Sequence, residues 1–288
     1  MRQALNFWLA GGDRRQVWLA RLLAEDGHAV HAFALGPAGE GVREERTLAG
    51  AERADCVVLP LPAAGPEGRL NAPLAEGPVP LEEVLDALEP GQIVCAGRVD
   101  GRLRTLAEGR GVRLFDYFAR EELAVANAAP TAEGAIQIAL EELPITLHGS
   151  RALVIGYGRL GRALAPRLAA LGARVTVAAR RYEALAWAES FGFAACPLGE
   201  LGECLCGFDL AVNTVPAPVL GAAELGELKK ESLVIDLASL PGGVDLAAAE
   251  RLGVKAVRAL SLPGKTAPAT AAAALRTAIC HILNELGV

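Results

Sequence analysis

The chain has 288 residues, enough for two domains with separate cores, and carries a net charge of −6 at pH 7. That sign of charge speaks against nucleic acid or an anionic membrane surface as a partner. Hydrophobic residues make up 52% of the chain and aromatics only 5%, which points to close-packed helix–sheet layers and away from an aromatic binding surface.

Taken in order, residues 4–10 read as an apolar strand, and Gly11-Gly12-Asp13-Arg14-Arg15-Gln16 turns from it into a helix carrying Leu19, Leu22 and Leu23. Further strands are predicted at 29–35, 56–59, 93–96 and 112–115, with helices around 81–88 and 103–109. Strands alternating with helices predict a parallel, doubly wound sheet. Residues 60–80 are rich in Pro, Gly and Ala without periodicity, and both a mobile loop over a site and plain surface padding fit them. A short helix at 121–126 is expected to break at Asn127-Ala128-Ala129-Pro130. Thr131 then caps a helix to about residue 143, with Glu133 in its first turn, where the helix dipole favours an acid. A second set of strands is predicted near 152–156, 174–178, 209–213, 232–237 and 255–259, and a last helix at 269–286. The expected fold is therefore α/β, with two Rossmann-like, doubly wound parallel-sheet domains and an interdomain cleft as the active site. The expected bounds are 1–128 for the substrate domain, 129–149 for a linking helix and 150–266 for the NAD(P)-binding domain. Residues 267–288 are expected to form a helix that returns to the first domain.

The chemistry is concentrated in Leu153-Val154-Ile155-Gly156-Tyr157-Gly158-Arg159-Leu160-Gly161. A β-branched run, a glycine turn and an amphipathic segment follow one another, which is the strand–turn–helix order of a dinucleotide site. Gly156 permits the sharp turn, Gly158 lets backbone approach a pyrophosphate, and Gly161 lets the helix lie against the sheet. Leu164, Leu168 and Leu171 continue the helix at the right spacing. The second strand of this domain ends in Arg180 and Arg181, where an NAD site would usually place Asp or Glu. A guanidinium there suits the 2′-phosphate of NADP, so NADP is favoured, with NAD still possible. A solvated Arg pair at a helix start is the alternative.

Ligands of open α/β sheets bind beyond the carboxyl ends of the strands. Candidates there are Asn213, Thr214, Val215 and Pro216, with Ala238 and Ser239 bordering the same ring. Ordinary turn chemistry explains such residues equally well. In the first half, Gly12, Asp13, Arg14, Arg15 and Gln16 make a second anion site at a helix start, and Asp13 also reads as a simple cap. The four histidines, His28, His31, His148 and His281, read as structural. Cys204-Leu205-Cys206, the only close pair among six cysteines, fits neither a zinc knuckle nor a CxxC redox motif, and no metal or disulfide is assigned. No apolar run reaches a membrane span and there is no signal-peptide pattern, so a cytoplasmic protein is expected.

These segments together resemble the dipicolinate synthase A subunit of endospore-forming bacteria. The resemblance runs through Gly11-Gly12-Asp13-x-Arg15-Gln16, Leu59-Pro60, Pro130-Thr131-x-Glu133-Gly134, His148-Gly149-Ser150 and Gly156-x-Gly158-Arg159-x-Gly161. It continues through Gly172-Ala173-x-Val175, Asn213-Thr214-x-Pro216, Asp236-Leu237-Ala238-Ser239-x-Pro241-Gly242-Gly243-x-Asp245 and Leu262-Pro263-Gly264. Pro166 inside the first cofactor helix and the Pro-rich segment after Pro60 sit less well with the pattern. The resemblance implies oxidation of a dihydro- or 4-hydroxy-tetrahydrodipicolinate to dipicolinate, pyridine-2,6-dicarboxylate, in the mother cell of a sporulating bacterium. It also implies, as partner, the flavoprotein-like B subunit of dipicolinate synthase, and a homo-oligomer is expected. Arg14, Arg15 and Gln16 are then the candidates for the substrate carboxylates, and Thr131 and Glu133 for the proton of the 4-hydroxyl step. Two other classes remain open. One is a non-catalytic NADP(H)-binding or regulatory chain supporting the flavoprotein. The other is a fused-Rossmann dehydrogenase of the methylene-tetrahydrofolate type, against which stands the absence of any lysine in residues 1–150.

Overall fold

The computed structural model describes residues 4–288 and contains two compact units, one ending at Asn127 and joined by Ala267–Val288, the other Ala128–Thr266. The first unit runs β1 (Asn6–Ala10), α1 (Arg14–Glu25), β2 (Ala29–Phe33), β3 (Val42–Glu45), β4 (Cys56–Val58), α2 (Leu81–Asp86), β5 (Ile93–Ala96), α3 (Gly101–Gly109) and β6 (Arg113–Asp116). Helix α4 (Glu121–Glu142) carries the chain into the second unit. There follow β7 (Arg151–Ile155), α5 (Arg159–Ala170), β8 (Arg174–Ala179), α6 (Tyr182–Ser190), β9 (Ala194–Pro197), β10 (Leu210–Asn213) and α7 (Ala222–Gly226). The unit closes with β11 (Leu233–Asp236), α8 (Leu246–Leu252), β12 (Lys255–Arg258) and α9 (Leu262–Thr266), and α10 (Pro268–Glu285) ends the chain.

Each unit is built on a six-stranded sheet, ordered β3-β2-β1-β4-β5-β6 and β12-β11-β10-β7-β8-β9, and every strand pair is parallel. Parallel sheets are covered on both faces, so their central strands must be apolar at every position. β1 illustrates this with a period of two. Phe7 and Leu9 enter the layer formed with Leu19 and Leu23 of α1, while Trp8 and Ala10 enter the opposite layer with Leu81, Leu85 and Leu103. In both sheets the strand order reverses beside the first strand, β1 or β7. That reversal opens a crevice at the carboxyl ends where ligands of this fold class sit.

The last helix belongs to the first unit. Ala272, Leu275, Ala278, Ile279, Ile282 and Leu283 of α10 are buried in the same layer as α1. Arg276 pairs with Asp26 at 3.0 Å, and Arg120 pairs with Glu285 near the other end.

The sequence-based expectations need correction in four places. The predicted break at 127–130 does not occur, because α4 continues through Pro130 and Thr131 lies in its interior instead of capping it. A proline inside a helix costs about 3 kcal/mol. Burial on both sides offsets that cost, with Leu123 entering the first core and Ala132, Ala135 and Ala139 entering the second. Pro166 is carried inside α5 in the same way, with Leu164, Ala165 and Leu168 buried around it. The linking helix accordingly starts at Glu121 and stops at Glu142, and residues 143–150 are non-helical. Two strands, β3 and β9, have no counterpart in the sequence reading. Val-Arg-Glu-Glu and Ala-Ala-Cys-Pro sit at sheet edges, where the apolar run that marks a central strand is not needed. Finally, the 60–80 segment is tied down. Ala63 N donates to Gly97 O at 2.8 Å, Leu70 N to Val79 O at 2.8 Å and Asn71 Nδ2 to Pro62 O at 3.0 Å, and Leu61, Ala63 and Leu70 are buried.

Candidate functional site

At the end of β7 the chain turns on Gly156, whose φ of 95° lies in the region that favours glycine. Its N–H donates to Ala178 O at 2.7 Å, which fixes the turn to β8. A Cβ on Gly161 would overlap the Gly156 carbonyl oxygen, so helix and strand meet backbone to backbone there. Gly158 is the opposite case. It is the N-cap of α5, it offers no side-chain cap, and a Cβ built on it would meet nothing within 4 Å. The start of this twelve-residue helix is thus not capped by the preceding side chain, and open space lies beside Gly158, an arrangement that favours a bound phosphate. Arg159 and Leu160 begin α5, with Leu160 packed on the core.

Arg180 and Arg181 follow directly on β8 and are both exposed. Arg181 lies 3.9 Å from Glu183, while the Arg180 guanidinium has no hydrogen-bond or ion-pair partner among the described residues. Arg162, which the sequence reading passes over, stands one turn into α5. Its guanidinium lies 5.7 Å from the Tyr157 ring and 5.5 Å from the Trp187 ring, tying α5 to α6. Its position four residues after Gly158 is the available signal.

The strand ends of β10 and β11 are held by their own polar groups. Asn213 is fully buried, and its Nδ2 donates to Asp236 Oδ1 at 2.8 Å and to Val215 O at 3.0 Å. Its Oδ1 accepts from Val215 N at 3.0 Å. Thr214 Oγ1 donates to Ile155 O at 2.9 Å and lies where a Cβ on Gly156 would fall. Both side chains proposed for the nicotinamide are therefore committed to the fold, in accord with the turn-chemistry reading. Asp236, also fully buried, additionally accepts from Ala238 N at 3.2 Å, Gly243 N at 3.1 Å and Arg258 Nη2 at 3.4 Å. A Cβ on Gly243 would collide with Asn213 Nδ2, which gives the Pro241-Gly242-Gly243 run a physical reason. Val215 is partly buried and Ala238 buried, while Pro216 and Ser239 are exposed at the strand ends.

In the first unit, Asp13 is the N-cap of α1, accepting from Arg15 N at 2.9 Å. Arg15 is buried and turns back on the cap, with Nη2 2.7 Å from Asp13 Oδ2 and 2.7 Å from Leu61 O. Burial pushes the Asp13 carboxyl up, but the hydrogen bonds and charge of Arg15 outweigh it and hold Asp13 below the ordinary carboxylate range. The Nη1 amine of Arg15 has no partner among the described residues. Arg14 is exposed. Gln16 is fully buried, packed over Gly12, where a Cβ would come within 2.6 Å of it. Its Nε2 stands 3.5 Å from Tyr117 Oη, and its Oε1 has no partner. Burial raises the Tyr117 phenol well above its ordinary value, and its hydroxyl donates to Leu59 O at 2.8 Å.

Thr131 and Glu133 lie on α4. The Glu133 carboxylate is 3.6 Å from Arg167 Nε, about two and a half turns along α5 from Gly158, so the pair is not gathered with the glycine turn. Gly134 beside them packs against Leu262 and Thr266 of α9. The histidines each have a structural neighbour. His28 accepts from Leu5 N, His31 meets Glu45 and stacks on Trp8, His148 lies against Gly172, and His281 meets Glu122. All six cysteines are free thiols, no group of metal-ligating side chains occurs among the described residues, and no described helix is long and apolar enough to cross a membrane.

This combination of a glycine-turn unit and a preceding unit with a Gly-Gly-Asp turn has counterparts among known proteins. Residues 6–118 match the family model described as the N-terminal domain of the dipicolinate synthase A subunit, and residues 137–259 match that of shikimate/quinate 5-dehydrogenase. The chain is 32% identical to the dipicolinate synthase A subunit of Bacillus subtilis (strain 168), over 99% of this chain and 98% of that protein. The crystal structure of the dipicolinate synthase A subunit from Bacillus halodurans superposes with a TM-score of 0.90 at 30% identity, covering 97% of both chains. That of the Bacillus subtilis protein gives 0.88 at 31%, covering 100% of this chain and 98% of the other. With the two Rossmann-like sheets, the glycine turn and the Asp236-centred loop all in one chain, and with identity extending from end to end, the protein belongs to the dipicolinate synthase A-subunit family.

Proposed function

We propose that the chain is an NADP-dependent oxidoreductase that converts a dihydro- or 4-hydroxy-tetrahydrodipicolinate to dipicolinate. The observation that carries this reading is the α5 N-terminus, where Gly158 provides no cap and no Cβ, in a chain of this family. The residues fit a dinucleotide. The N–H groups after Gly158 hold the pyrophosphate, Arg159 and Leu160 set the helix start, and Arg180, with Arg181 beside it, takes the 2′-phosphate. Val215, Pro216, Ala238 and Ser239 border the nicotinamide end, and Asn213 and Thr214 act there by fixing the loops. When bound, the nicotinamide accepts a hydride. Loss of water and of two hydrogens from the hydroxylated ring leaves an aromatic pyridine, so the products balance as dipicolinate, water, reduced cofactor and a proton.

The substrate is a dianion, and the first unit, which has no lysine in its sequence, must answer it with arginine. Arg15 offers Nη1 to one carboxylate while Asp13 holds the rest of the guanidinium in place, and Gly12, Arg14 and Gln16 complete the anion-binding turn. Thr131 and Glu133 are assigned the proton of the 4-hydroxyl step, for which Glu133 must leave Arg167. The setting is the mother-cell cytoplasm, the assembly a homo-oligomer, and the partner the flavoprotein-like B subunit.

A second reading, a nucleotide-binding chain that leaves the chemistry to the flavoprotein, is favoured by the Glu133–Arg167 pair and by the bonding of His28, His31 and His281 to structural neighbours. The deciding experiment follows pyridine-ring absorbance with purified chain, NADP⁺ and freshly made substrate, with and without the flavoprotein partner. Product from the chain alone supports the enzyme. Product only in the presence of the flavoprotein supports the second reading.

A further inference from the structure

We propose that Arg98 is a second carboxylate anchor of the first unit, taking the carboxylate of a ring dicarboxylate that Arg15 does not hold. The inference rests on the substrate reading above and adds to it a residue that the sequence does not single out. Arg98 follows β5 at the carboxyl end of the sheet, with a φ of 57° that non-glycine residues rarely adopt. Such a conformation persists only where the surroundings enforce it, and it is a reason to look for function. Here Asp116 enforces it, accepting from Arg98 N at 3.1 Å and Val99 N at 2.9 Å, and also from Phe118 N at 2.8 Å. Gly97 closes the other side. A Cβ on it would come within 2.7 Å of both Leu61 and Tyr117.

The position relative to Arg15 follows from the same segment. Gly97 N donates to Pro60 O at 3.1 Å and Gly97 O accepts from Ala63 N at 2.8 Å. Of the two carbonyls between those bonds, Leu61 O is the one that Arg15 Nη2 reaches, at 2.7 Å. Arg15 and the Gly97-Arg98 turn therefore grip one short stretch from two sides, next to the unpaired amide end of Gln16. Exchanging the two ends of that amide would leave the other end unpaired, so a buried polar atom awaits a partner in either orientation. The Arg98 side chain is exposed and has no hydrogen-bond or ion-pair partner among the described residues. The two carboxylates of a pyridine-2,6-dicarboxylate diverge from the ring, and one guanidinium fork engages one carboxylate. Two separate arginines are what such a ligand requires.

The test titrates the full chain calorimetrically with pyridine-2,6-dicarboxylate and with pyridine-2-carboxylate, using wild type, Arg98→Gly and Arg15→Ala. Glycine adopts positive φ without strain, so Arg98→Gly removes the guanidinium while keeping the turn, and its melting temperature should not fall. It is expected to weaken the dicarboxylate about tenfold or more and to leave the monocarboxylate unchanged, while Arg15→Ala weakens both. If Arg98→Gly binds both probes like wild type, or weakens both equally, the proposal is wrong. Wild-type binding of both probes with equal affinity would mean a single anchor, removing Arg98 while Arg15 stands. Wild-type binding of neither would remove the substrate reading and the proposal with it.

Discussion

Asn213 Nδ2 donates to Asp236 Oδ1 at 2.8 Å, and both side chains are fully buried at the carboxyl ends of adjacent strands. The pair fixes two loops at once. Asn213 closes the turn to Val215, and Asp236 gathers Ala238 N, Gly243 N and Arg258. The Asn213-Thr214 and Asp236-to-Asp245 motifs are therefore one structural device, and Gly242 and Gly243 are small because that device fills the space beside them.

Removing the acceptor should be costly. Asp236→Ala leaves the N–H groups of Ala238 and Gly243 without a partner, takes one of the two acceptors from Asn213 Nδ2, and removes the carboxylate from Arg258 Nη2, which keeps only Val244 O. Breaking a buried ion pair from one side costs about 3–5 kcal/mol. Arg258 retains some solvent contact, so a loss near about 3 kcal/mol is expected from urea unfolding. A loss below about 1 kcal/mol, the size of one ordinary hydrogen bond, would mean that the strand ends are held by something else.

Two glycines of one motif should fail differently. Gly158→Val is expected to abolish dinucleotide binding with little change in melting temperature, because its side chain enters open space. Gly161→Ala is expected to lower the melting temperature, because its methyl group meets the rigid Gly156 carbonyl. Calorimetric titration and thermal unfolding of both variants separate the two effects. Normal nucleotide binding by Gly158→Val would place the site elsewhere.

Cofactor preference is assigned to Arg180. Wild type should bind NADP⁺ more tightly than NAD⁺, and Arg180→Asp should erase or reverse the difference, since the acid repels a 2′-phosphate and accepts from a ribose hydroxyl. Equal affinities in wild type, or an unchanged ratio in the variant, would exclude Arg180 from this role.

The attachment of α10 can be read by titration. Hydrogen bonds from Arg120 hold the Glu122 carboxyl at about 2, below the usual 4.5. A depressed folded value stabilises the native state fully above the unfolded value, and that contribution fades as pH falls from about 4.5 towards 2. In Arg120→Ala the Glu122 carboxyl should rise towards the ordinary range by NMR titration, and amide exchange at the end of α10 should quicken. An unmoved titration would show that Arg120 does not hold it.

Much of this is readable in the residues. Apolar runs mark the central strands, and the spacing in Gly156-x-Gly158-x-x-Gly161 carries the sharp turn at Gly156 and the close helix–strand approach at Gly161. The edge strands β3 and β9 escape notice because pairing on one side makes little demand on composition. Pro130 misleads because local propensity cannot register that two cores claim the same helix. In the site, Asn213 carries both the ligand and the turn reading, and its hydrogen bonds show the turn. Arg98 gives no signal, since a strained φ on a non-glycine residue leaves no trace in sequence.

The central claim is that this chain performs the oxidation with its own nicotinamide cofactor. Substrate bearing deuterium on the sp³ ring carbon bonded to nitrogen, the carbon that gives up the hydride, tests it most directly, with the chain alone, NADP⁺ and mass analysis of the cofactor. The expected result is one deuterated, reduced cofactor for each dipicolinate formed. Dipicolinate appearing without reduced cofactor, or with the deuterium lost to water, would contradict it.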